Sequence, residues 1–161
     1  MNRTSAFFLP VFASALVFAE KVFPQAQITV NGGNQTLAVT TGSPAAEPIP
    51  IVNTSATLAY RRQNVVSKIT VGTACPGQRF TLRVLAISVT RGTAAPEVTL
   101  TNGMLEADFI TAIPKGAPGL PDVAINATCT LQYTGSATYS QGNSTELGDD
   151  IHTVTYTILA Q

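Results

Sequence analysis

Thirteen residues of strict alternation, from Thr128 to Ser140, constrain this chain more than any other segment. Cys129, Leu131, Tyr133, Gly135, Ala137 and Tyr139 occupy one parity, and Thr128, Thr130, Gln132, Thr134, Ser136 and Thr138 the other. Successive side chains of a β-strand point to opposite faces, so the pattern puts one face in a core and the other in water. Tyr133 and Tyr139 share the parity of Cys129 and Leu131 and are expected in the core. Gly135, in the middle, marks the expected position of a bulge or bend. A second alternating segment sets His152, Val154, Tyr156, Ile158 and Ala160 against Thr153, Thr155, Thr157 and Leu159. A polar, turn-rich linker over 141–150 separates the two segments, which are expected to pair directly or through a neighbour.

The same period recurs in other runs. From Phe80 to Arg91, Phe80, Leu82, Val84 and Ala86 alternate with Leu85, Ile87 and Val89, which predicts burial on both faces or a shift at Ala86. Gln35 to Thr41, Ile49 to Asn53, Ala56 to Tyr60, Val65 to Val71, Glu97 to Thr101 and Glu106 to Ala112 are further candidate strands. Gly103 to Phe109 fits either one helical turn or a turn followed by a strand. From Gln27 onward, 22 of 135 residues are threonine, a β-branched residue suited to a pleated surface with a small polar outward face. Pro44, Pro48 and Pro50 make 42–50 extended, and Gly116, Pro118, Gly119 and Pro121 make 115–122 a loop. No sustained helical stripe with caps follows residue 27. Many short strands between turns are the pattern of a sandwich or barrel.

The N-terminal stretch reads differently. Asn2 and Arg3 precede an uncharged apolar run over 6–19, interrupted by Pro10. The run suits the hydrophobic region of a secretory signal peptide and is shorter than the roughly 20 residues a spanning helix needs. Residues 1–26 are therefore expected to be a signal peptide, cleaved after Ala19 or after Ala26, with an uncleaved anchor as the competing reading. Residues 27–161 are expected to form a single β-sandwich domain that is secreted, to the extracellular space or the cell surface, by way of the periplasm if the source is bacterial. No membrane insertion is expected after cleavage.

Charge and composition narrow the chemistry. Only 11% of residues are charged and the net charge is zero, which excludes the basic face that nucleic-acid binding needs. Cys75 and Cys129 are the two cysteines, and in an exported chain they are expected to form a disulfide. Closing that loop of 54 residues is worth about 4 kcal/mol by chain entropy, less any strain. Two cysteines and one histidine distant in sequence supply too few ligands for a metal site, and none is expected. His152, preceded by Asp149 and Asp150, is read as a strand residue rather than a catalytic base, because a triad needs three groups that converge in space. Glu146, Asp149 and Asp150 beside Gly148 do not match the spacing of a calcium loop and are read as a solvated turn. Neither a catalytic residue nor a cofactor is expected. Asn34, Asn53, Asn126 and Asn143 each begin a glycosylation acceptor pattern. With no Trp and only Tyr60, Phe80, Phe109, Tyr133, Tyr139 and Tyr156 after residue 27, the supply of rings for a sugar platform is thin.

The ends of the domain carry the remaining signal. Gln27 to Gly33 is expected to be a free, extended arm, and Ile151 to Ala160 an alternating strand of low charge. Such strands are available to complete a neighbour's sheet edge. Gly148-Asp-Asp-Ile-His-Thr-Val-Thr-Tyr-Thr-Ile158 resembles the last strand of spore-coat-U-like and other chaperone–usher pilin subunits. That resemblance implies an exported Ig-like sandwich that exchanges strands between subunits and catalyses nothing. The chain is thus expected to be all-β, an Ig-like antiparallel β-sandwich of about seven to nine strands. It is read as a structural or adhesive cell-surface protein, a fibre or pilus-like subunit that assembles with itself or with other surface proteins through edge strands. The alternative is a monomeric secreted binding module for carbohydrate, peptide or calcium, with a small hydrolase third.

Overall fold

The computed structural model describes residues 26–40, 46–61, 65–115, 127–141 and 148–161. Residues 1–25 of the expected signal segment, Thr41, Pro44, the 116–122 part of the proline-glycine loop, Asn126, Asn143 and Glu146 lie outside them. Nine strands occur in the described residues: β1 (Gln27–Asn31), β2 (Ile51–Arg61), β3 (Ser67–Ala74), β4 (Thr81–Ile87), β5 (Thr93–Ala94), β6 (Val98–Leu100), β7 (Ala107–Ile113), β8 (Ala127–Ser136) and β9 (Thr153–Ala160). They form two antiparallel sheets, β1-β2-β8-β4-β6 and β5-β7-β3-β9, packed as a sandwich. One 3-10 turn over Tyr139–Gln141 is the only helical element described.

The long alternating segment becomes β8, at the centre of the larger sheet, with its apolar parity buried from Ala127 through Gly135. β8 does not bend at Gly135: its ladder to β4 runs without a break from Thr130 to Ser136. Glycine instead relieves a tight contact there, because a Cβ would meet Leu37 Cβ and Cδ2 at 3.3 Å. The bulge lies opposite, in β2, where the four residues from Asn53 to Ala56 face three from Tyr133 to Leu131. Asn53 Oδ1 accepts the Ser55 N–H at 2.8 Å, a local turn that takes up the extra residue. The two candidate strands on either side of Thr54 are therefore one strand of eleven residues.

Three other expectations are corrected. β8 and β9 do not share a sheet; they lie in opposite layers and meet through the Tyr133 and Tyr156 hydroxyls, 2.9 Å apart and buried. Tyr139 leaves the core because β8 ends at Ser136, and the ring is 56% exposed. Gln35 to Thr40 forms no strand, although Leu37 packs on the core. In β4 the pattern resolves to clean alternation, with Leu82, Val84 and Ala86 inward and Leu85 and Ile87 half-buried outside. The ambiguity beyond Ile87 comes from Ser88, whose φ of 54° ends the strand.

The core lies between the sheets. Leu58, Tyr60, Val84 and Leu131 from one layer face Ile69, Val71, Phe109, Ile110 and Ile113 from the other, and all are 1% exposed or less. Phe109 and Tyr156 pack with ring centroids 5.2 Å apart at 51°, a tilted pair worth ~1 kcal/mol beyond its buried area. Burial pushes the Tyr60 hydroxyl up to about 12, and its O–H donates to the Arg91 carbonyl at 2.5 Å.

Candidate functional site

Two regions of the molecule stand apart from the packed core: the flank formed by the first and last strands, and one polar end of the sandwich. The flank follows from sheet order. β1 is the outer strand of the larger sheet and β9 the outer strand of the smaller one, and the two approach each other on the same side of the molecule. β1 pairs only with β2, from Gln27 opposite Arg61 to Asn31 opposite Thr57. Four of its five residues are exposed, Val30 at 47%, and only Ile28 reaches the core. The other edge of β1 therefore presents backbone donors and acceptors that no strand among the described residues pairs with.

β1 ends where it does because of Gly32. Its φ is 114°, and a Cβ there would lie 2.9 Å from Ala56 Cα, so only glycine lets the chain pass this close to the β2 bulge. Gln35 Nε2 donates to the Gly32 carbonyl at 2.7 Å, and Ser55 Oγ donates to Gln35 Oε1. The arm expected to be free is thus docked on its own domain, with a fixed register and an anchored downstream end. β9 is bound along all eight residues to β3, from Thr153 opposite Ala74 to Ala160 opposite Ser67. Its inward parity buries Tyr156, and Leu159 is exposed at 42%.

The polar end lies where β3, β4, β6 and β9 meet. Asp150 Oδ2 accepts the Arg79 and Phe80 N–H groups at 2.8 and 2.7 Å, and its Oδ1 lies 3.9 Å from Arg79 Nε. Asn102 Oδ1 accepts the Cys75 N–H at 2.8 Å, and Thr73 Oγ1 lies 3.2 Å from His152 Nδ1. Cys75, Asp150 and His152 bring sulfur, carboxylate oxygen and ring nitrogen within 4.8 Å of one another. An open recess lined by Gly77, Gln78, Phe80, Thr99 and Asn102 adjoins this cluster. The histidine that is distant in sequence is therefore a neighbour of Cys75 in space.

The disulfide expected between Cys75 and Cys129 is not formed; both thiols are free and buried. They lie toward opposite ends of the sandwich. Gly135 of β8 faces Leu82, close to the Phe80–Asp150 contact beside Cys75. Cys129 sits six residues back along β8, on the order of 20 Å at ~3.3 Å per residue. Bridging would need the two Cα atoms within about 7 Å. Cys129 is instead packed at the Tyr60 end, where burial pushes its thiol up to about 11.

The groups at the polar end are poorly suited to nucleophilic catalysis. Burial, and next the charge of Asp150, push the Cys75 thiol up, whereas an attacking cysteine needs a lowered pKa and an exposed sulfur. Cys75 is 1% exposed. Burial also pushes His152 down, partly offset by Asp150. The acidic turn read from the sequence is divided: Asp149 is exposed, whereas Asp150 is turned inward with its side chain 7% exposed. Of the aromatic residues, Tyr60, Phe109, Tyr133 and Tyr156 are buried in the core, Phe80 is half-buried, and Tyr139 is exposed. Asn34 is exposed and Asn53 half-buried in the β2 bulge. No helix among the described residues is long and apolar enough to cross a membrane. No protein-family model, curated protein or solved structure matches the chain.

Proposed function

We propose that this protein is an exported structural subunit of a cell surface, an Ig-like sandwich whose copies assemble by exchange of the first strand. The observation that carries this reading is β1 itself. It is an outer strand, mostly exposed, tied to the core by Ile28 alone and placed beside the last strand on one flank. A second copy's β1 fits the β2 edge in the same register as the first, since the pairing surface is identical. The signal-like N-terminal segment, the low charge and the resemblance of 148–158 to pilin-type last strands support the same reading. On this reading the domain performs no catalysis, and adhesion is a property of the assembled surface.

The test uses the β1–β2 register. Thr29 and Ala59 are opposite each other, so the pair Thr29→Cys with Ala59→Cys is placed to form a disulfide across the ladder. In strand-exchanged assemblies recovered from producing cells, oxidation links neighbouring chains into a ladder on a non-reducing denaturing gel. A single cross-linked monomer band, from a sample without filaments, overturns the assembly reading. One observation favours the second reading, a monomeric secreted binding module: the recess beside Phe80 and Asn102, which carries hydrogen-bonding side chains. Such a module is recognised by a melting temperature that rises with its ligand.

A further inference from the structure

We propose that Cys75, Asp150 and His152 form a binding site for a divalent transition-metal ion of the zinc type, independent of any strand assembly. Three donors of different chemistry converge here, with their ligand atoms within 4.8 Å of one another. A tetrahedral ion with bonds of about 2.0 to 2.3 Å holds such atoms roughly 3.3 to 3.7 Å apart, so the set closes by no more than ~1.5 Å. A thiolate, an imidazole and a carboxylate together suit zinc or cobalt, whereas calcium and magnesium prefer oxygen alone.

Each donor is already held from behind. The Cys75 backbone is tied to Asn102, His152 is within reach of the Thr73 hydroxyl, and Asp150 Oδ2 is fixed by two backbone N–H groups. This leaves Asp150 Oδ1 outside those two bonds, on a side chain only 7% exposed. Arg79 Nε, 3.9 Å away, is likewise buried and lacks a hydrogen-bond partner. Buried polar groups are normally paired, and a water in the ion's fourth position that accepts from Arg79 Nε accounts for this unpaired one. The ligand charges match those of the ion, and Arg79 beside Asp150 leaves the loaded cluster at a net +1. Binding releases the Cys75 proton to solvent, and the resulting thiolate with the Asp150 carboxylate neutralises the dication, while the imidazole binds in its neutral form.

The probe is Co²⁺ alone, titrated into the purified reduced full chain at neutral pH. One equivalent is expected to produce a thiolate-to-cobalt charge-transfer band with the visible absorption of a tetrahedral site, and Zn²⁺ is expected to displace it. Cys75→Ser is expected to abolish the band and His152→Ala to weaken binding at least ~100-fold. Thr73→Val, which removes the hydroxyl 3.2 Å from His152 Nδ1, weakens it ~10-fold. Cys129→Ser, at the other end of the sandwich, leaves the titration unchanged. The proposal is overturned if the wild-type chain shows no charge-transfer band, or if the band survives Cys75→Ser. Should Cys75→Ser fail to fold, X-ray absorption on the cobalt-loaded wild-type chain decides instead. One sulfur among nitrogen and oxygen ligands supports the site, and no sulfur overturns it.

Discussion

Removing the first strand, by starting the domain at Gly32, tests whether β1 is a detachable element. β1 contributes about five ladder hydrogen bonds at ~1 kcal/mol net each. Ile28 is half-buried and Val30 is 47% exposed, and together they add ~2 kcal/mol of apolar burial. Ordering the five residues costs ~1.5 kcal/mol apiece, which nearly cancels these gains. The truncated domain is therefore expected to unfold cooperatively with a stability within ~2 kcal/mol of the longer chain and a slightly smaller denaturant slope. The assay is urea unfolding of both forms, each checked for monomeric state. A loss above ~4 kcal/mol, or the absence of a cooperative transition, would refute the reasoning. β2 would then depend on β1 to cover Leu58 and Tyr60, and the strand would be no candidate for exchange.

Three further outcomes follow from the core and the turns. Tyr156→Phe leaves the buried Tyr133 hydroxyl without its 2.9 Å partner and is expected to cost ~1 to 3 kcal/mol by denaturant unfolding. Adding Tyr133→Phe removes the orphaned group and is expected to recover part of that loss. In alkali, Tyr60 holds its proton up to about 12 when folded against 10 when unfolded, so this contribution is complete below pH 10 and is lost as pH rises toward 12. Tyr133, Tyr156 and the two thiols are raised by the same burial, so stability measured from pH 7 to 12 is expected to begin falling near 9, where unfolded thiols ionise, and to fall further above 10, less steeply there in Tyr60→Phe; a decline centred near neutrality would contradict this. Gly92→Ala sets a Cβ 2.8 Å from the Thr111 carbonyl at a φ of 96° and is expected to cost at least ~2 kcal/mol, whereas Gly103→Ala, at a φ of 72° with open space around it, costs ~1 kcal/mol, both read by thermal melting.

What the sequence makes legible here is parity. Alternation alone places Leu131, Tyr133 and Tyr156 in the core, and Thr richness with regular turn residues yields the all-β sandwich. Parity stops at the face of a strand, however. It cannot say which sheet a strand joins, which is why β8 and β9, similar in pattern, were expected to pair and instead face each other. Nor does it locate a strand's end: Tyr139 has the core parity but lies beyond Ser136, where the ladder to β4 finishes.

The cysteines show the same limit with a chemical consequence. They were expected to form a disulfide, and both are buried, but a disulfide also requires the same height along the sandwich. Height is set by register. Ala74 opposite Thr153 brings Cys75 to the level of His152, and Asp150 follows because its carboxylate caps the Arg79 and Phe80 amides at the start of β4. The residues that meet at the polar end come from positions 73 to 152, and no local spacing rule joins them. A count of ligands along the chain undervalues such a cluster, because a β-sandwich collects its chemistry from strand ends rather than from contiguous motifs. The same register argument says where to look for partners of Cys129: near Leu58 and Tyr60, at the far end, among apolar and phenolic groups that make it a packing residue.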